Sequence, residues 1–208
     1  MKIYHIYPLL LVFILLLTSC AVKPSVDRND PMSTEITIQQ STIIHNRALQ
    51  QLDETHPEAH KLYQQARAAE ARGELDFAIE TYHKAMQKDP ENGFLLTGLG
   101  MAYLRKEDIV PARRYLLKAV NSDPDYYKSR LGLGYIYLQK QQLPKAIVQL
   151  ETSIELLPTL EGTFLLGEAE EAQGNQPRAR QLYQAVVRVD KNSKLGKAAA
   201  IHLRSLSK

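Results

Sequence analysis

Three prolines set the scale of this chain. Pro90, Pro124 and Pro158 are spaced by 34 residues twice over. Each closes a similar phrase: Lys88-Asp89-Pro90, Ser122-Asp123-Pro124 and Leu156-Leu157-Pro158. The segments GLGMAYLRK (98–106) and GLGYIYLQK (132–140) share the offset and agree at six of nine positions. A fixed period of this length signals a repeat architecture, not a single layered domain. Each period holds two stretches of about 12–14 residues with helical spacing of apolar positions, separated by a short break. The unit is therefore a helix hairpin, and stacked hairpins build a solenoid, so the expected class is all-α. Composition agrees: 44% hydrophobic and 24% charged residues over 208 positions are ordinary for a folded chain.

The phrases within each period resemble the tetratricopeptide repeat (TPR), over about 59–193. With each proline at position 32, repeats start at Ala59, Gly93 and Tyr127. Leu-Gly-x-x-Tyr occurs as Leu99-Gly100-Tyr103 and Leu133-Gly134-Tyr137, whereas the first repeat departs from it with Gln65, Ala66 and Ala69. The second helices open on Ala78, Ala112 and Ala146 and carry Tyr82, Leu116 and Leu150 four residues later. The resemblance implies repeats at 59–92, 93–126 and 127–159 and a degenerate fourth at 160–193. That last repeat slips by one residue, lacks the proline and has Glu170 in place of Tyr. The segment 195–206 is expected to be a capping helix that covers the last hairpin with Leu195, Ala199, Ile201 and Leu203 or Leu206, since a terminal repeat needs such cover.

The N-terminal part follows other rules. Lys2 precedes an apolar run from Leu9 to Leu17. At 1.5 Å per residue that run spans about 14 Å, under half of a ~30 Å hydrocarbon core, so residues 1–19 read as a signal peptide. Leu17-Thr18-Ser19-Cys20 resembles a bacterial lipobox. The resemblance implies an acylated Cys20 as the new N-terminus, with membrane contact through its lipid. Ala21, where Asp marks inner-membrane retention, implies the periplasmic face of the outer membrane. Cys20 is the chain's one cysteine, which excludes an intrachain disulfide and a Cys-based zinc site. Residues 20–41 hold Pro24, Pro31 and several Ser and Thr without a helical stripe and are expected to form a flexible tether. Ile44, Ala48 and Leu52 place a short helical segment at 42–58.

No constellation for chemistry emerges. Lys+Arg 26 against Asp+Glu 23 gives a net charge of +3, too weak a field to imply nucleic acid. Gly98-Leu99-Gly100 and its counterpart at Gly132 recur inside a helix with no preceding strand, so they are not dinucleotide loops. His56 and His60 stand one helical turn apart without a third ligand. Glu168, Glu170 and Glu171 read as a helical acidic surface. No cofactor is implied, and the chain is expected to be non-enzymatic.

The family's inner face is built from the first helix of each repeat. Carried onto this sequence, it implies a groove with Tyr63 and Arg67 from the first repeat and Phe94, Met101, Leu104 and Arg105 from the second. The third supplies Lys128, Leu131, Tyr135 and Leu138, and the fourth Phe164. An apolar centre with a charged rim suits a protein or peptide partner. The eukaryotic chaperone-tail clamp does not fit, because only Lys128 matches its pattern. Lipoproteins of this kind resemble type IV pilus assembly factors that escort secretins. An adaptor for peptidoglycan hydrolases or proteases, and a self-associating envelope protein, are the alternatives.

Overall fold

The computed structural model describes the backbone of residues 32–207 and the side chains of residues 40–207. The expected signal peptide, Cys20 and the tether as far as residue 31 lie outside the described residues. Ten helices and no strand occur among the described residues: α1 (Met32–Thr55), α2 (Pro57–Ala71), α3 (Leu75–Met86), α4 (Gly93–Arg105), α5 (Ile109–Ser122), α6 (Tyr127–Gln139), α7 (Leu143–Leu156), α8 (Leu160–Ala172), α9 (Gln176–Asp190) and α10 (Lys194–Ser205). None is long and apolar enough to cross a membrane.

Helices α4 and α6 open on Gly93 and Tyr127, 34 residues apart, and α8 opens on Leu160, one residue short of the next period. Local chemistry sets these starts. The Asn92 side chain accepts hydrogen bonds from the Phe94 and Leu95 N–H groups, and Thr159 Oγ1 accepts one from Gly162 N–H. Such caps satisfy donors that a helix N-terminus leaves open. Pro144 and Pro177 sit in the first turns of α7 and α9, where a missing N–H costs nothing.

Every hairpin turns in the same way. Gly73, Glu107, Gln141 and Gly174 all have positive φ, and each donates its N–H to the carbonyl three residues back. The following residues, Glu74, Asp108, Gln142 and Asn175, donate to the carbonyl five residues back. This paired closure is the Schellman motif, which answers the orphan carbonyls of a helix end. Two of the four left-handed positions are not glycine, so backbone bonding dictates the turn more than residue type does.

Close helix approach needs glycine elsewhere. A Cβ on Gly134 would lie 2.5 Å from Leu150 Cγ, and one on Gly100 would lie 2.7 Å from Leu116 Cγ. Leu116 and Leu150 are fully buried. Their clusters grade into one another along the array. Tyr63, Tyr82, Phe94 and Leu99 centre the first, Leu133, Ile136 and Leu166 join the second, and Phe164, Tyr183, Val186 and Ala199 form the third. The first helices of neighbouring repeats touch in series, α2 to α4 to α6 to α8 to α10, whereas no pair of second helices packs comparably. The array therefore curls with its first helices inside.

Three expectations need correction. The tether does not extend to residue 41, because α1 is helical from Met32. Between Pro31 and Pro57 the chain has neither proline nor glycine, and Ser and Thr lower helix propensity by only tenths of a kcal/mol each. The helix is about 36 Å long, and Ile44, Ala48, Leu49 and Leu52 pack it on the first hairpin. In α10, Leu195, Ala199, Leu203 and Leu206 face the last hairpin, but Ile201 is 60% exposed. Spacings of three and four residues put the others on one stripe and turn Ile201 away. Finally, Glu170 is not a surface carboxylate. It is buried, accepts a hydrogen bond from Asn175 Nδ2 at 2.9 Å, and lies 2.9 Å from Arg178 Nε. Arg178 also holds Glu151 of α7 at 2.6 Å, so an ion cluster takes the place of the missing tyrosine and ties α7, α8 and α9 together.

Candidate functional site

The inner face holds a recess of about 190 Å³ where α2, α4 and α6 converge. Seven of the expected groove residues line it: Tyr63, Arg67, Phe94, Met101, Arg105, Lys128 and Leu131. Helical spacing explains the grouping. Arg67 stands one turn beyond Tyr63 on α2, and Met101 and Arg105 are one turn apart on α4. Tyr63 and Phe94 are in ring contact at 4.6 Å, and Phe94 meets Tyr126 at 5.8 Å. These aromatics are buried, so they form the floor of the recess and their edges are what a ligand reaches.

The other expected groove residues part company. Tyr135 is exposed on α6, and Leu104 is half-buried. Leu138 is buried in the middle core cluster, and Phe164 lies against His202 of α10 at 5.8 Å. Neither Leu138 nor Phe164 lines the recess. Leu138 is the penultimate residue of α6, where neighbouring helices pack over the face that the family pattern leaves open. A charge at Leu138 would be buried, so a Leu104→Glu, Leu138→Glu pair would unfold the array rather than probe binding alone. Beside Thr97 and Gly98 of α4, the recess wall also takes in Tyr126, Tyr127, Thr159 and Glu161. These last four sit at the joins between repeats, just outside the positions that define the family's inner face.

Charge in the recess is unbalanced. Glu70, with a side chain 3% exposed, accepts hydrogen bonds from both Arg67 and Arg105 and from Tyr82 Oη at 3.1 Å. One carboxylate thus answers two guanidiniums. Lys128 has no carboxylate within ion-pair distance among the described residues. Burial holds its ammonium below the usual lysine range, and Arg67 and Arg105 push it lower. Burial also pushes the Tyr63 hydroxyl up to about 12, so it stays a neutral donor. With Glu70 buried below and Glu161 on the rim, three cations face two carboxylates, and the one surplus positive charge beside an aromatic floor makes a seat for an anionic group flanked by apolar surface.

One end of the groove is occupied by the chain itself. His45 of α1 meets Phe94 at 5.3 Å and Tyr63 at 6.5 Å, so α1 overlies the first hairpin on the groove side. Burial, then Lys128 and Arg67, hold the His45 imidazole below its ordinary value of 6.5. Burial and Arg114 do the same to His83. The unfolded chain then binds protons that the folded chain refuses, so the stability these two imidazoles contribute declines as pH drops below about 6.5 and is gone once both are protonated in the folded chain. The array should melt at a lower temperature at pH 5.5 than at pH 7.5, and His45→Gln should shrink the difference. Circular dichroism melts of both proteins at each pH measure this, and equal melting at the two values contradicts the assignment. The remaining described histidines also reach carboxylates: His56 lies 3.4 Å from Asp89, His60 2.8 Å from Asp53 and His202 2.7 Å from Glu171. No group of three or more His, Cys, Asp or Glu able to hold a metal occurs among the described residues.

Comparison with known proteins bears on the fold. Family profiles described as tetratricopeptide repeat match residues 97–159 and 163–193. No curated protein matches the sequence. Among solved structures, MamA from Desulfovibrio magneticus is similar at 17% identity and a TM-score of 0.61, covering 74% of this chain and 95% of that one. YrrB, described as a TPR protein with an unusual peptide-binding site, is 21% identical with a TM-score of 0.58, covering 76% and 86%. A thermophilic TPR protein from Thermus thermophilus is 18% identical with a TM-score of 0.59, covering 85% and 97%. Identities this low speak for architecture alone. Period, turn geometry, profile matches and structural likeness agree that the described residues form an all-α tetratricopeptide-repeat solenoid.

Proposed function

We propose that this chain is a non-catalytic scaffold whose inner groove captures an anionic segment of a partner protein at the bacterial cell envelope. The observation that carries the reading is the recess where Arg67, Arg105 and Lys128 meet above Tyr63 and Phe94, with Glu70 as the one buried counter-charge. A carboxylate bound there relieves the repulsion around Lys128, while an adjacent apolar side chain rests on the aromatic edges. The TPR architecture supports a binding role, as does the peptide-binding description of YrrB. The lipobox-like Leu17-Thr18-Ser19-Cys20 supports an acylated anchor at the periplasmic face of the outer membrane. Within that setting, a part in pilus or secretin assembly is the reading we adopt.

The test joins two arms in cells making the full chain. Lys128→Glu should abolish crosslinking of envelope proteins to a photoreactive residue at Met101, with no loss of melting temperature. Cys20→Ala should abolish fatty-acid labelling and leave the precursor uncleaved. Undiminished crosslinking in the first arm removes the groove reading, and continued labelling in the second removes the anchor. Secretin or pilus components among the crosslinked proteins would support the assembly role; wall hydrolases would replace it with the adaptor alternative.

A further inference from the structure

The outer face, built by the second helices, carries a larger recess than the groove. About 710 Å³ of space opens between α5 and α7, floored by Tyr137 of α6. Ile109, Val110 and Leu117 form its α5 wall, with Val110 80% exposed. Arg113 of α5 and Lys145 of α7 approach the Tyr137 ring from opposite walls, each at 5.8 Å from the ring centre. Arg114 and Lys140 add two more cations to the rim. No carboxylate lines the recess, and none of the four cations is in an ion pair among the described residues. Elsewhere on the surface some residues of the same types are paired, as Arg72 is with Glu74 and Lys106 with Asp76, while others such as Lys61 and Lys118 stand as single charges outside any ion pair among the described residues.

We infer that this outer recess is a second docking site, taking an acidic amphipathic helix of a partner protein. Its apolar side chains settle on Leu117 and Tyr137, and its carboxylates meet Arg113 and Lys145. Charge decides the kind of occupant: Arg113, Lys140 and Lys145 face one another around an apolar floor without a carboxylate, while Arg114 leans on the Tyr115 ring at 4.9 Å, and an anionic ligand with an apolar face satisfies both the charge and the floor. Shape decides between a protein segment and an anionic bilayer. A lipid surface is met by cations and apolar tips that protrude, whereas here two cationic side chains fold inward over a buried ring. The site lies on the opposite face from the groove, so the inference does not rest on the proposed function. Occupied together, the two sites make the array a bridge between two proteins.

The experiment uses the full chain and a labelled helical peptide of Glu, Leu and Ala with leucines on one face. Three comparisons accompany it: a scrambled peptide of equal composition, vesicles of phosphatidylglycerol, and the variants Arg113→Glu with Lys145→Glu and, separately, Lys128→Glu. The expected result is saturable binding that weakens at least about tenfold in the outer-face variant and with the scrambled peptide, and stays unchanged in Lys128→Glu. Equal binding of the scrambled peptide would reduce the site to bulk charge. Loss in Lys128→Glu alone would move the peptide to the groove. Vesicle binding that Arg113→Glu with Lys145→Glu abolishes, without peptide binding, would make this face a membrane contact. Each of these, or no binding at all, overturns the inference.

Discussion

Gly134→Ala lowers the stability of the array by about 1–2 kcal/mol, yet the same substitution raises it once Leu150 has been cut to alanine. The new Cβ in α6 would stand 2.5 Å from Leu150 Cγ and 2.6 Å from its Cδ2, both part of a fully buried side chain. Leu150 cannot retreat without pushing α7 off its neighbours. Overpacking therefore outweighs the roughly 1 kcal/mol that alanine gains over glycine in a helix. Leu150→Ala alone costs about 3 kcal/mol through lost burial and the cavity it leaves. In that background the nearest remaining atom is Leu150 N at 3.4 Å, an ordinary contact, and only the helix-propensity gain survives. Urea unfolding of the four proteins of this cycle should show a change of sign. Additive effects would mean that Gly134 is not held by close helix approach.

The second large effect comes from the inner face. Arg67→Ala together with Arg105→Ala should destabilise the protein by about 3 kcal/mol or more, because it strands a buried carboxylate. Glu70 would retain only the Tyr82 hydroxyl. Either substitution alone should cost about 1 kcal/mol or less, since the remaining guanidinium still answers Glu70 and both guanidiniums are half in water. Adding Glu70→Gln to the double variant should restore most of the loss. Thermal melts read this as a drop of about 10 °C that the third substitution recovers. Failure of Glu70→Gln to rescue would show that the arginines stabilise by packing instead. The result also bears on binding studies: arginine variants disturb the fold and the groove together, whereas Lys128 is free of that coupling.

Much of this was legible because a repeat states its grammar several times. The 34-residue period located the starts of α4 and α6, and that of α8 to within one residue, and the small-to-large pairs Gly100 with Leu116 and Gly134 with Leu150 followed from residue size. The groove was legible only in part. Helix α6 is buried on several sides, with Leu131, Leu133, Ile136 and Leu138 all inside, so its sequence shows no clean stripe that separates groove from core. The length of α1 was hidden for the opposite reason. Its N-terminal half has β-branched and polar residues with no apolar stripe, and only the absence of Pro and Gly hints at a helix. Glu170 looked like a surface acid because its partner Arg178 arrives from another helix. For Glu70 the partner Arg105 lies 35 residues away, one period plus one, which is the signal that a search across repeats would find.

The four hairpin turns carry a consequence for the chain's history. Each is closed by the same two backbone hydrogen bonds, whether the left-handed residue is Gly, Glu or Gln, so a turn asks little of its side chain. The register between hairpins depends instead on helix faces that recur every 34 residues. A duplication of residues 93–126 in tandem would therefore find a ready-made neighbour on each side. It would lengthen the inner groove and the outer surface by one step, leaving α1 and α10 to finish the ends. Gene-level copying of one unit is thus enough to change how long a partner segment the molecule can follow, with no new interface to invent.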